Sequence, residues 1–537
     1  MKSKKLACFL SLTMLVSLLA GCGSESGDSE SSQNSGSAST PPSENTESSA
    51  NSEEESEEPV EITWLGYYTS DVTISENTWG QKLLEDRFNV KITPVTDVSG
   101  QNIDTYVASG DILNVTCYPL YLHSDVAYMY DQGLIREIPE EWLYEYYPTG
   151  MARYEEVMGK EYFENGYHRQ NGKVLYTPFN VCWNEGETVF LYRKDWLDAL
   201  NLKEPATLDE LHDMLYAFTY NDPDGNGVKD TYGISCVYSW RPFWPVFSIF
   251  GGEPMGFKLQ EDGSVIFQGA TENYKQALTI IKEWYDEGII DPEGITDGRS
   301  EQRTKWSNGT LGAMCDNISW TMDYRGSSSV INMVEDVYGK NTVALLHPIT
   351  TEYGDGKSYA CNTFPYVSGN NAMVFTSSAT DEQVIAVLKM LEGIASDDEL
   401  NIALNYGEEG VDYDWQGDML VVKENTTVEN WAARGISSYF AAAAVSDAVI
   451  TAPFTERDKE RLAITTSWPE IYRSNNFPTP SSEVYNLYGP EISKVVEEYY
   501  YSVLLGTDSL DAWDAYVKRL EDAGLPAVLE EYETLLK

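Results

Sequence analysis

From Val60 onward the chain alternates between two periods, and this alternation limits its fold more than any other feature. Val60-Glu61-Ile62-Thr63-Trp64-Leu65 and Val90-Lys91-Ile92-Thr93-Pro94-Val95 place apolar side chains at every second position, and Trp79 to Phe88 between them places them at helical spacing. Strands joined through a helix run parallel, so this stretch reads as a βαβ unit. Later segments repeat the pattern. An apolar strand is expected at Ile112 to Cys117, a helix at Asp125 to Gln132 and a strand at Val189 to Tyr192. The capping-box pattern Thr207-Leu208-Asp209-Glu210 opens a helix to Thr219. A helix at Thr271 to Glu287, strands at Leu311 to Cys315, Val343 to Leu346 and Ala372 to Phe375, and a helix at Asp381 to Ala395 complete an α/β body with largely parallel sheets. Near the end, Trp513, Tyr516, Val517 and Leu520, then Leu525, Val528, Leu529, Tyr532 and Leu535, predict two helices broken at Gly524-Leu525-Pro526 and packed on the core.

The segments before Val60 do not belong to that body. Lys2, Lys4 and Lys5 precede an apolar run from Leu6 to Ala20, closed by Leu19-Ala20-Gly21-Cys22. The run is shorter than the ~20 residues that span a bilayer, so residues 1–21 read as an export signal. Its ending resembles the bacterial lipobox, in which the Cys is diacylated and becomes the mature N-terminus, which makes Cys22 the expected lipid anchor. An ordinary secreted protein with an incidental Cys22 is the alternative. Residues 22–59 then read as a disordered tether, because 13 Ser and ten acids with no base fill positions 23–59 and leave nothing to bury.

Charge excludes whole classes of partner. With 86 acidic and 36 basic side chains the formal net charge is −50, and a chain this acidic repels nucleic acid and anionic lipid headgroups. The four histidines lack partners at metal-ligand spacing, which argues against a zinc site. Cys117, Cys182, Cys236, Cys315 and Cys361 are scattered and lack any CxxC, so small buried residues are expected, with a single disulfide left open.

Asp222-Pro223-Asp224-Gly225-Asn226-Gly227-Val228-Lys229-Asp230 carries the clearest chemistry. Asp222, Asp224, Asn226 and Asp230 offer side-chain oxygens at loop positions 1, 3, 5 and 9, Val228 a carbonyl at 7, and Gly227 supplies the sharp turn at 6. Hard oxygen donors at this density favour Ca²⁺ in a structural role. Position 12 is Gly233 where an EF-hand has a bidentate Glu, and an Asx-rich turn without metal is the competing reading.

Leu191-Tyr192-Arg193-Lys194-Asp195-Trp196-Leu197-Asp198-Ala199-Leu200, Pro205 to Leu211 and the Asp222 to Gly233 loop together resemble the solute-binding lipoproteins of bacterial carbohydrate ABC importers, family 1 type. The resemblance extends to Ala108 to Asp111, Trp284 to Glu293, Asn405 to Gly410 and Asp514 to Leu520, and so covers nearly the whole mature chain in order. Ile112-Leu113-Asn114 departs from the Leu-Pro-Asp usual in this branch. What the resemblance implies is a two-lobe, periplasmic-binding-protein-like α/β fold with hinge strands and a ligand cleft. Lobe 1 would comprise 60–185 plus 372–410, lobe 2 186–371 plus 411–510, and 511–537 the final helices. It also implies a monomer on the outer face of a Gram-positive cell membrane, held by its lipid only, that passes an oligosaccharide to permease subunits.

Sugars offer apolar faces and rings of hydroxyls, so their sites combine flat aromatic rings with polar donors and acceptors. Aromatics after strands or in Gly- and Pro-rich loops are the expected platforms: Tyr67 and Tyr68, Trp183, Trp240, Trp244, Trp320, Tyr406 and Trp415. Asp71, Glu185 and Asp316 are the suggested hydroxyl acceptors, and Trp284 and Trp513 are expected in the core. The overall charge favours a neutral sugar. An anchored glycan-degrading enzyme is the alternative, although no nucleophile elbow or phosphate loop is present. An adhesin would need repeats or β-sandwich patterning that the chain lacks.

Overall fold

The helix Trp79–Phe88 fixes the geometry of the first sheet. The Thr78 hydroxyl caps it by accepting from the Gln81 amide, and Asn89, in the left-handed region at φ 48°, ends it and returns the chain directly into the next strand. The strands on either side, Val60–Gly66 and Val90–Thr96, pair in parallel along their whole length, from Val60 opposite Val90 to Gly66 opposite Thr96. The computed structural model describes residues 58–66, 72–96, 103–119, 126–158, 169–170, 173–177, 188–237, 239–349, 361–362, 372–423, 428–440, 446–466 and 483–535. Cys22 and the tether lie outside them. Among the described residues no helix is long and apolar enough to cross a membrane.

The first sheet runs Met373–Phe375, Cys117–Pro119, Val60–Gly66, Val90–Thr96, with Met373–Phe375 antiparallel to its neighbour. The expected strand at Ile112 is instead a 3₁₀ turn over Asp111–Asn114. Gly110 at φ 79° starts this turn, Ile112 plugs the core alone, and the strand begins only at Cys117, opposite Trp64. The second sheet runs Ile290–Asp291, Tyr232–Ser235, Leu311–Asn317, Thr188–Arg193, Val343–Leu345, with Cys361–Asn362 also on Thr188–Arg193. Only its first three strands are parallel. Thr188–Arg193 is antiparallel to all three of its partners, so the expectation of largely parallel sheets fails here.

Residues 57–537 form one unit with two large hydrophobic cores. Around the first sheet pack Ile62, Trp64, Leu84, Tyr118, Val374 and Leu388. Around the second pack Leu191, Phe218, Leu278 and Met314, joined by Tyr499, Tyr516 and Val528 of the last helices, Glu483–Leu504, Trp513–Asp522 and Leu525–Leu535. Trp284 and Trp513 are buried in this second core. Ala432, Tyr439 and Phe440 pack in the first core, although the sequence division put 411–510 with the second lobe. The cause is contact geometry. A Cβ on Gly80 would fall 2.1 Å from the Gly435 carbonyl, and the Tyr439 hydroxyl lies 3.0 Å from the Trp64 carbonyl and 2.7 Å from that of Val95. Tyr439 thus seals the carboxyl ends of the two parallel strands.

The Arg193-Lys194-Asp195-Trp196 stretch serves packing. Buried Arg193 lies between the rings of Trp196 and Tyr338, 4.7 and 4.2 Å from their centroids, and donates twice to Asp195. Cys117, Cys236 and Cys315 are free and buried, and burial pushes the Cys236 thiol up to about 12, which leaves it unreactive. Cys182 lies outside the described residues.

Candidate functional site

The three parallel strands of the second sheet end at one edge, and each delivers polar or aromatic side chains there. Beyond Tyr232–Ser235 the chain turns at Ser239, a non-glycine residue at φ 60°, and reaches Trp240, a 3₁₀ turn at Arg241–Phe243 and the helix Trp244–Phe250. Trp240 and Trp244 are half-buried. Trp240 meets Tyr500 edge-on, with ring centroids 6.1 Å apart, and the Ser239 hydroxyl bonds Glu497 and Tyr501 at 3.1 and 2.9 Å. The turn sits beside the next strand, because the Pro242 carbonyl accepts the Cys315 thiol at 3.5 Å.

Leu311–Asn317 leads into a 3₁₀ turn, Ile318–Thr321, in which the Ser319 amide donates to the Asn317 side-chain oxygen at 2.8 Å. This turn carries half-buried Trp320. Asp316, suggested as a hydroxyl acceptor, is committed instead. Its side chain is 8% exposed and takes Arg299 at 2.8 Å and Arg303 at 2.7 Å, one on each oxygen. The guanidinium carbons of Arg299, Arg303 and Arg325 lie 5.1, 4.9 and 4.4 Å from the Trp320 ring centroid. The strand-end rule singled out Trp320 but missed these arginines. The available signal was three arginines flanking one Trp in a chain poor in bases.

Ile290–Asp291 delivers an acidic cluster. Asp291, Glu293 and Asp297 bring carboxylate oxygens within 4.8 Å of one another, a spacing that could hold a metal ion. The Lys305 ammonium already stands 2.7 Å from all three. Burial alone would lower the Lys305 pKa, but the three carboxylates override it and hold it above its ordinary value. The cation of this cluster is the protein's own lysine.

The Asp222 loop lies elsewhere, between the helix Leu208–Tyr220 and the strand Tyr232–Ser235. Its turn has the shape a cation loop needs. Gly225 and Gly227 sit at φ 71° and 76°, and the Gly227 amide donates to both Asp222 oxygens at 3.2 and 3.1 Å. The Asn226 amide donates to Asp224 at 2.8 Å and to Asp230 at 3.2 and 3.3 Å, and its oxygen accepts from the Val228 amide. Position 12 is Gly233 for a steric reason: a Cβ there would meet the Leu215 carbonyl at 2.6 Å, so no Glu fits. Asp222, Asp224 and Asp230 do not approach one another as closely as the Lys305 cluster.

Trp240 and Trp244 thus follow the strand Tyr232–Ser235, and Trp320 follows its parallel neighbour Leu311–Asn317. Tyr406 ends the helix Asp398–Tyr406, and exposed Trp415 lies on the hairpin Tyr413–Gln416 and Met419–Val422. Tyr406 belongs to a separate small cluster with Tyr413, Leu420 and Ala452, and Trp415 meets Tyr413 edge-on. Tyr67, Tyr68, Trp183, Asp71 and Glu185 lie outside the described residues.

No protein-family profile matches the chain. The chain is 25% identical over 360 residues, 64% of its length and 67% of the relative's, to the polygalacturonan/rhamnogalacturonan-binding protein YtcQ of Bacillus subtilis. Over 354 residues it is 26% identical to lipoprotein LipO of the same organism, covering 64% of this chain and 68% of the relative. The structure of the Streptococcus pneumoniae ABC-transporter substrate-binding protein FusA with kestose superposes with a TM-score of 0.63 at 18% identity, over 88% of this chain and 98% of that one. The chain has the fold of an ABC-transporter substrate-binding protein. The same solute-binding fold is shared by the alginate-binding protein AlgQ2, at a TM-score of 0.63 and 18% identity over 89% of this chain and 98% of that one. A FusA structure is also described as an EF-hand mutant. In open α/β sheets generally, ligands bind outside the carboxyl ends of the strands.

Proposed function

We propose that the chain is the ligand-capturing component of a carbohydrate ABC importer. It binds an oligosaccharide and passes it to permease subunits without chemical change. The observation that carries this reading is the solute-binding fold over nearly the whole body; the positions of Trp240, Trp244 and Trp320 after two of its parallel strands support it. YtcQ is named for binding polygalacturonan, AlgQ2 for alginate, and FusA was seen with kestose, so the relatives take both acidic and neutral glycans. Capture works by population shift: an open form exposes the ligand site, and a ligand that touches both lobes favours a closed form that the permease recognises. Residues 1–22, with Leu19-Ala20-Gly21-Cys22, and the lipoprotein relative LipO support export and acylation at Cys22, with the protein acting as a monomer on the outer face of the membrane. Incubation with a panel of labelled oligosaccharides tests the central reading. At least one should raise the melting temperature and be recovered intact, whereas shortened products would favour the enzyme alternative.

The same reading includes a structural calcium ion held by Asp222, Asp224, Asn226, Asp230 and the Val228 carbonyl. The turn geometry and the hard-oxygen donor set support it. The ion would brace the junction between the helix Leu208–Tyr220 and the second sheet, away from the tryptophan edge. Titration calorimetry of chelator-stripped protein should show one Ca²⁺ site, lost in Asp222→Ala. Calcium at a hundred times its dissociation constant should add about 2.7 kcal/mol of stability, and no heat and no stabilisation would refute the site.

A further inference from the structure

The whole-chain charge does not describe the edge at which Trp320 stands. Arg299 and Arg303 lie four residues apart on the helix Arg299–Ser307 and so share one face. Arg325 comes from the next turn and donates through Nε to the Ser319 carbonyl. Three guanidiniums thus surround one ring, and the one carboxylate paired with them is Asp316. The neighbouring acids are engaged elsewhere: Asp323 with Arg457 and Arg461, Glu335 with Arg457, and Asp458 with Arg461. Arg325 has no carboxylate partner among the described residues. This leaves a local excess of two positive charges in a chain that carries 86 acids and 36 bases.

The donors are also incompletely used. Each guanidinium offers five N–H groups. Asp316 takes one from Arg299 and one from Arg303, and the buried Nε of Arg303 has no acceptor. Packing against Trp320 holds the guanidiniums close together, and their unused N–H groups can meet an anion bidentately. Uncompensated guanidiniums gathered in this way match a sugar that bears a carboxylate.

We propose that Trp320, Arg299, Arg303 and Arg325 form a subsite for a uronic-acid residue of the captured oligosaccharide. Trp320 holds the guanidiniums together, and Arg325, with the unused N–H groups of Arg299 and Arg303, binds the carboxylate of the sugar. This proposal rests on the reading of the chain as an oligosaccharide-binding protein. Asp316 is a positioning residue that holds two of the arginines in place.

The test is calorimetry of the full chain with four probes: a short oligogalacturonate, its methyl ester, a sulfated neutral oligosaccharide and a fructo-oligosaccharide. The oligogalacturonate should bind at least tenfold more tightly than its ester, and its affinity should fall as salt rises. Arg325→Gln breaks no ion pair, giving up only the bond to the Ser319 carbonyl and the packing on Trp320, and should lower the melting temperature only slightly, yet cost at least tenfold in oligogalacturonate affinity and remove the preference over the ester. Arg303→Gln should act in the same direction. Preference for the sulfated probe would overturn the uronate assignment. Tight binding of the fructo-oligosaccharide alone, unaffected by Arg325→Gln, would overturn the subsite and leave the binding function intact. Binding of no oligosaccharide in the wider panel would overturn that function and the subsite with it.

Discussion

Lys305→Met should destabilise the protein by about 3–5 kcal/mol, the cost of breaking a buried ion pair from one side. The lysine ammonium is shared by Asp291, Glu293 and Asp297. Asp291 is 1% exposed and ends a strand of the second sheet, so without the cation its charge stays buried and uncompensated. Met keeps most of the side-chain volume, and the loss therefore reports charge rather than packing. The pH dependence follows from the sign of the shifts. Hydrogen bonding to Lys305 holds the Glu293 carboxyl below its ordinary value. Its contribution is present at neutral pH and is lost as pH falls through that lowered value. The gap between wild type and variant in denaturant unfolding should therefore be widest near pH 7 and shrink in acid. If the cluster instead holds a metal ion, Lys305→Met would raise stability in the presence of divalent cations, which would contradict the assignment of the lysine as its cation.

Asp458→Ala should be as costly, about 3–5 kcal/mol, and should also reach the turn that carries Trp320. Asp458 is fully buried on the helix Glu456–Thr466. It accepts from the amides of Asp323, Tyr324 and Thr455 and pairs with Arg461 at 3.3 Å. Arg461 donates in turn to the Thr321 carbonyl at 2.9 Å, at the end of the turn that carries Trp320. Removing the carboxylate leaves three half-buried amides without their acceptor and leaves buried Arg461 with Asp323 as its remaining carboxylate. The turn over Ile318–Thr321 then loses its clamp. Hydrogen exchange should accelerate at 318–328 in Asp458→Ala while Val60–Gly66 stays protected. Equal acceleration in both sheets would show that the clamp is not local.

Much of this architecture was legible because it is local. Period-two alternation around a helical stretch is enough to specify the first βαβ unit, and the helix from Thr207 announces itself by its capping residues. What was not legible depends on distant contacts. Ile112-Leu113 looks like the start of a strand, yet Gly110 turns the backbone there and only Ile112 is buried. Strand direction in the second sheet is decided by where Thr188–Arg193 inserts, which no local pattern encodes. The segment around Ala432 to Phe440 joins the first core through the close approach at Gly80 and Gly435, a contact between residues hundreds of positions apart.

The candidate site residues divide in the same way. Trp240, Trp244 and Trp320 follow strands of the second sheet, whereas Tyr406 packs in a separate small cluster and Trp415 meets Tyr413 beside it. Asp316 looked like a free acceptor because a sequence does not show that two arginines from the preceding helix close on it. In contrast, Asp291, Glu293 and Asp297 have the look of a metal site, and only the reach of Lys305 shows why they are together.

In the proposed mechanism a ligand bridges two lobes and shifts the population toward a closed form. Small-angle X-ray scattering of the full chain, with and without a saturating oligosaccharide that binds by calorimetry, tests it most directly. The radius of gyration should fall on binding, and the fall should be lost when the ligand is too short to touch both lobes. An unchanged radius at proven saturation would contradict capture by closure.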